Sequence, residues 1–166
     1  MWRKILDQFQ DSPSQQRVAK FLLENGFGVS PEGKTIVNGI EISASALARV
    51  IKVDRRVIDS TLHRICEIDE LQSLFSRLRV TPDLTDVAKN LGLSVITIIP
   101  KNAGDKNIVS SAVDVIASYD LPLRQIFVTD PYVVESPRLV IIIDGILPVE
   151  AIQKLRDLPA VQSMIL

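Results

Sequence analysis

The chain has 166 residues, 46% of them hydrophobic and 23% charged, with a formal net charge of −1. That is the balance of an ordinary globular protein of one medium or two small domains, and no global positive field draws it onto nucleic acid. One cysteine, Cys66, and one histidine, His63, exclude an intrachain disulfide framework and a Cys/His zinc set, and point to a cytoplasmic location.

The opening "MWRKILDQFQDS" has no long apolar core and is not expected to be a signal peptide. The longest apolar runs, such as "LVIII" at 139–143, are too short to span a bilayer, so no membrane partner is expected. Residues 3–10 read as a short helix, with Trp2 as an anchor for the N-terminal segment. Ser12 and Pro13 start a second helix as N-cap and first helical residue, and Asn25–Gly26 stops it. "SPEGK" is a turn, and "TIVNGIEI" holds a short hairpin around Asn38–Gly39. Ser43 or Ser45 caps a helix to about Ile51, and Asp54 caps another to about Ile65. "DELQSLFSRL" gives a further helix, and "TPDLTDVAKNLG" a short one, capped by Thr81, started by Pro82 and stopped by Gly92.

After Gly92 the pattern changes. "LSVITII" is a β-branched strand, "AGDKNIVSSAVDVIASYD" a loop and helix, "LRQIFVTD" a strand, and "PYVVESP" a turn-rich link. "RLVIIIDG" is a strand, "LPVEAIQKLRDL" a helix with Pro148 in its first turn, and "AVQSMIL" a last strand. The order β-α-β-β-α-β predicts an α+β chain: a helical half at 1–80, a connecting helix at 81–92, and a ferredoxin-like sheet domain at 93–166. "VITII" and "LVIII" do not alternate, so both sheet faces are apolar. One face would be covered by the helices. The other needs the helical half or a second copy of the chain, and a twofold homodimer through the sheet is expected.

The stretch "SALARVIKVDRRVIDSTLHRI" has the spacing of a helix-turn-helix. Leu47, Ala48 and Ile51 face inward on the first helix, Val53 anchors the turn, and Ile58, Leu62 and Ile65 face inward on the second. Arg55, Arg56, Ser60, His63 and Arg64 face outward, where they suit phosphates and base edges. Between Ser43 and Cys66 five basic residues stand against two acidic ones. Lys52 occupies the turn position where glycine is common, Thr61 stands where an apolar or small residue is common, and no wing follows Ile65. A plain helical pair packing a small bundle has the same inner spacing.

In the second half, the loop "PKNAGDKN" precedes a helix. Gly104 permits a bend, Asp105 can cap the helix, and the amides that follow favour a carboxylate or phosphate; a simple capped loop accounts for the same residues. With these residues in view, 93–166 resembles an ACT domain. The resemblance implies effector binding, usually of amino acids, at a dimer interface through Asn102, Ala103, Gly104, Asp105, Lys106, Asn107 and Ile108. The common ACT pattern places an acidic residue before a proline–glycine pair; here Ala103–Gly104 is followed by Asp105. On "LLENGFGVSPEGKTIVNGIEI", "VDRRVIDSTLHRI", "TPDLTDVAKNLG" and the ACT-like half, the whole chain resembles an archaeal family described as predicted regulators of amino-acid metabolism containing an ACT domain.

An enzyme is not expected. His63 and Cys66 lie three residues apart on one helix, facing broadly different directions, and Cys66 reads as a small core residue. Asp130 and Asp144 read as turn residues at strand ends. No P-loop, dinucleotide fingerprint or HExxH run is present, so no cofactor or metal is implied beyond an amino-acid effector. The expectation is therefore a dimeric, effector-sensing regulator that binds DNA. The rival expectation is an ACT adaptor that regulates a metabolic enzyme by protein contact without DNA.

Overall fold

The structure is a computed structural model and describes residues 2–130 and 136–166, with the side chains of Trp2 and Arg3 left out. The Trp2 anchor and most of the expected turn-rich link at 131–137 therefore lie outside the described residues. The chain divides into two compact units, Met1–Thr81 and Pro82–Leu166. It is mixed α and β, with two antiparallel sheets. Among the described residues no helix is long and apolar enough to cross a membrane.

The first unit contains helices α1 (Trp2–Asp7) and α2 (Pro13–Glu24), strands β1 (Gly28–Val29), β2 (Thr35–Val37) and β3 (Ile40–Ile42), then α3 (Ala44–Ile51), α4 (Arg55–Glu67) and α5 (Asp69–Phe75). Helix α2 ends as its Asn25–Gly26 signal predicts. Gly26 takes φ +67°, Phe27 donates to the Leu22 carbonyl at 2.8 Å, and Gly26 donates to that of Leu23 at 3.3 Å. This is the paired bonding of a Schellman stop. The predicted hairpin closes at Asn38–Gly39, both at positive φ, and the structure adds β1 on its outer side. Strand β1 is too short to show a period-2 pattern, which is why sequence spacing did not reveal it. Gly28 lets β1 approach α5: a Cβ there would lie 2.8 Å from the Phe75 carbonyl oxygen. Phe9, Val18, Leu22, Val29, Ile58, Ile65 and Phe75 form the buried centre.

The second unit contains β4 (Leu93–Pro100), α6 (Ile108–Ala117), β5 (Leu123–Val128), β6 (Leu139–Asp144), α7 (Val149–Arg156) and β7 (Val161–Ile165). The sheet order is β5-β6-β4-β7 and every pairing is antiparallel. Ile96, Ile98, Leu139, Ile141 and Ile143 pack under α6 and α7 through Ile108, Ala112, Ile116, Ala151 and Leu155.

The opposite sheet face corrects two expectations. The stretch from Thr81 to Gly92 is not a continuous helix; only Ala88–Leu91 is helical, as a 3-10 turn that Gly92 ends in the left-handed region. Its residues instead lie over the sheet, with Leu84 and Ala88 against Val140, Ile142, Val95 and Phe127. The Gln125 amide holds the segment, donating to the Pro82 carbonyl at 2.7 Å and accepting from the Leu84 amide at 3.0 Å. Neither the helical half nor a second copy is needed over the centre of this face. What the segment leaves uncovered lies toward the β7 edge, where Ile99 is partly exposed and Ile165 is 59% exposed.

Candidate nucleic-acid interface and effector loop

Helices α3 and α4 meet through Lys52, Val53 and Asp54. The Ser43 hydroxyl accepts from the Ala46 amide at 3.2 Å and starts α3. The Asp54 carboxylate accepts from the Arg56 amide at 2.8 Å and starts α4. Between them Lys52 itself takes the left-handed conformation, φ 58° and ψ 53°, and Val53 donates to the Ala48 carbonyl at 3.0 Å. The inner faces are as spaced: Leu47, Ala48, Ile51, Ile58, Leu62 and Ile65 are all buried. Thr61 is buried as well, and its hydroxyl satisfies itself on the Val57 carbonyl at 2.6 Å. A threonine is tolerated there because the helix supplies an acceptor one turn back.

The outer face of α4 divides into two ends. Toward its start, Arg55 and Arg56 are exposed. Arg55 pairs with Asp59 at 3.4 Å, while no ion pair joins Arg56 to a described residue. Toward its finish the polar groups are engaged. Ser60 donates to Val57 and accepts from the Gln15 amide at 3.0 Å. His63 meets Glu67 at 3.2 Å. Arg64, expected to face outward, turns to the first helices and is only 30% exposed. Its guanidinium donates to Asp11 at 2.8 and 3.1 Å and to the Gln15 side-chain oxygen at 3.2 Å, and lies 5.2 Å from the centre of the Phe9 ring. Helical spacing puts Arg64 beside Ser60 on the same stripe. Only the docking of α2 reveals that this stripe has a neighbour.

Arg49 and Lys52 belong to the basic excess of 43–66 but lie off the outward stripe of α4. Both are exposed, Arg49 in the last turn of α3 and Lys52 in the turn before α4, and neither forms an ion pair with a described residue. Residues 1–81 carry twelve Lys and Arg against ten Asp and Glu, while residues 82–166 carry seven against ten. The near-neutral total therefore conceals a first unit of charge +2 and a second of −3.

Cys66 and His63 do not face apart. Both line an open cleft of about 350 Å³ with Pro31, Glu32, Gly33 and Asp59. The Cys66 thiol donates to the Ser30 carbonyl at 3.6 Å, and burial pushes its pKa up. A protonated thiol is the opposite of what a nucleophile needs. Asp144 pairs with Arg124 at 2.7 Å, in keeping with a place at a strand end.

The loop between β4 and α6 is built by its own side chains. The Asn102 side-chain oxygen accepts from the Gly104 amide at 2.9 Å, and Asp105 accepts from the Asn107 amide at 2.9 Å. Asn107, not Asp105, is the N-cap residue of α6, and its side chain makes no capping bond. Gly104 lies outside the left-handed region, so the Asn102 turn makes the bend expected of the glycine. Lys101 ties the loop to the α7–β7 connection through the Ala160 and Pro159 carbonyls at 2.9 and 2.8 Å. Ile108 is buried and anchors the helix start; Asn102, Gly104, Lys106 and Asn107 are exposed, and Ala103 and Asp105 are half-buried. Residues 102–107 thus form one continuous strand-to-helix loop that runs into α6 at Ile108, with its polar groups largely in solvent. Among the described residues, no group of three or more His, Cys, Asp or Glu is placed to hold a metal ion. In comparison with known proteins, neither a family model nor a curated protein matches the chain.

Proposed function

We propose that the chain is an effector-responsive transcriptional regulator of amino-acid metabolism. Its first unit is a helix-turn-helix reader of DNA. Its second is a ferredoxin-like ACT domain that dimerises and takes an amino acid or similar small molecule. The carrying observation is the α3–α4 pair: two capped helices joined by a left-handed residue at Lys52, with Ile58, Leu62 and Ile65 buried and Arg55 and Arg56 in solvent. The positive charge of the first unit supports it. So does the β-α-β-β-α-β order of the second, with the strand-to-helix loop at 102–108 as effector site and the Ile99–Ile165 side of the sheet as dimer surface.

The mechanism is linkage. An effector that binds one arrangement of the dimer more tightly favours one spacing of the recognition helices, and half-sites would lie about one helical turn, or a multiple, apart. Anisotropy titrations with genomic fragments at several salt concentrations test the DNA part. Binding should fall steeply with salt, and its absence at low salt would sink it. A thermal-shift screen of the twenty amino acids tests the sensor, because a ligand at a hundred times its Kd adds about 2.7 kcal/mol. No shift with any of them would refute an amino-acid effector.

A second reading has its own support. Ile146 and Val149, at the connection into α7, are 88% and 73% exposed, as a protein-contact surface would be. On this reading the chain is an ACT adaptor that docks on a metabolic enzyme and binds no DNA. Absence of DNA binding together with an amino-acid thermal shift would favour it.

A further inference from the structure

Sequence spacing centres the proposed reader on the exposed length of α4. The structure divides that length. Ser60 and Arg64 are held by Gln15 and Asp11, and His63 faces Glu67. The end that remains open is the turn and what flanks it: Arg49 in the last turn of α3, Lys52 in the turn, and Arg55 and Arg56 in the first turn of α4. Within 49–56 the one acidic residue is Asp54, and its carboxylate is occupied by the Arg56 amide. Arg55 is shared with Asp59. Arg49, Lys52 and Arg56 have no carboxylate partner among the described residues.

Lys52 adds an independent observation. Three described non-glycine residues have positive φ: Asn38, Lys52 and Asp120. Asn and Asp enter the left-handed region readily, because a short polar side chain can bond locally. Lysine has no such compensation, and the turn would be more stable with glycine. A left-handed lysine at an exposed turn, with its ammonium free of any described partner, is local strain kept alongside a charge. Strain of that kind concentrates where a side chain is used.

Resting on the DNA reading above, the geometry points to Arg49, Lys52 and Arg56 as the phosphate-contacting set. Lys52 seats the α3–α4 turn on the nucleic-acid backbone, and the finish of α4 stays outside the contact. These cations would neutralise phosphates irrespective of sequence and so set orientation, leaving base reading to the residues between them. Each phosphate neutralised contributes about 0.9 to the slope of log K against log salt.

The test uses the full chain and a mixed-sequence DNA duplex, with anisotropy titrations across roughly 50–200 mM salt. Lys52→Gly should keep or raise Tm, weaken binding about tenfold at the low end, and reduce the salt slope by about 0.9. Lys52→Asn, which also tolerates the left-handed turn, should behave alike, and Lys52→Arg should restore the slope. Arg49→Ala and Arg56→Ala should each lower it by a similar amount, whereas Lys20→Ala on α2 should leave it unchanged. If the wild-type chain binds with a steep slope and the Lys52 variants match it, the inference is overturned while the DNA reading stands. If the wild-type chain does not bind at low salt, both fall. Preferential binding of polyglutamate over the duplex at equal salt would also overturn it, in favour of an acidic protein partner.

Discussion

Arg64→Ala separates a structural from a nucleic-acid role for the finish of α4. The guanidinium makes two bonds to Asp11, one to Gln15, and a contact with the Phe9 ring at 5.2 Å. The Asp11 side chain is 65% exposed, so solvent screens the ion pair and its value is about 0.2–1 kcal/mol. The cation–π contact adds about 0.5–1 kcal/mol, for a total of about 1–2 kcal/mol. In a unit of this size that lowers Tm by roughly 4–16 °C. Calorimetry on the full chain reads the loss, and a double-mutant cycle with Asp11→Ala should return a coupling of about 0.5 kcal/mol. The salt slope of DNA binding should not change. A variant that melts within about 1 °C of the wild type but loses about 0.9 of the slope would refute the structural assignment and return Arg64 to the interface.

Four further outcomes are expected. Gly28→Ala brings a Cβ against the Phe75 carbonyl oxygen and should destabilise the first unit by about 1–3 kcal/mol, read as a lower denaturation midpoint; an unchanged midpoint would show that β1 can move away. The Thr35 hydroxyl is buried with no partner among the described residues, so Thr35→Val should be neutral or stabilising by about 1 kcal/mol; a clear loss of stability would mean that the hydroxyl is bonded after all. Gln125→Ala removes the clamp on the segment over the sheet, so amide exchange should speed up at Leu84 and Ala88 while the α6 amides keep their protection. Burial raises the Cys66 pKa, so at pH 8 the folded thiol should alkylate more slowly than the same thiol in urea. The gap should close as pH rises through the folded pKa; equal rates at pH 8 would contradict this.

Local chemistry was readable along the chain wherever a residue type has one dominant use. Ser43 and Asp54 start helices because their oxygens accept the first free amides. Gly26 and Gly92 stop helices because they enter the left-handed region without a Cβ. The inner residues of α3 and α4 follow from a 3.6-residue period alone. The stretch from Pro82 to Val87 misled for the same reason: its cap, proline and spacing fit a helix, but Leu84 lies on the sheet and Gln125 bonds both the Leu84 amide, which a helix would leave to its cap, and the Pro82 carbonyl, which a helix would bond.

By itself the sequence determined the α+β content, the order of most elements, the apolar character of both sheet faces and the inward set Ile58, Leu62 and Ile65. These depend on periodicity and on single-residue backbone preferences, which are local. The tertiary structure decided which neighbour each outward or uncovered group meets. It turned Arg64 onto Asp11 and Phe9, left Arg49, Lys52 and Arg56 open, brought His63 and Cys66 to one cleft, and laid Leu84 and Ala88 over Val140 and Ile142. Each of these contacts joins residues whose proximity depends on how several elements dock. A helical stripe specifies a direction, and only packing supplies what stands in that direction.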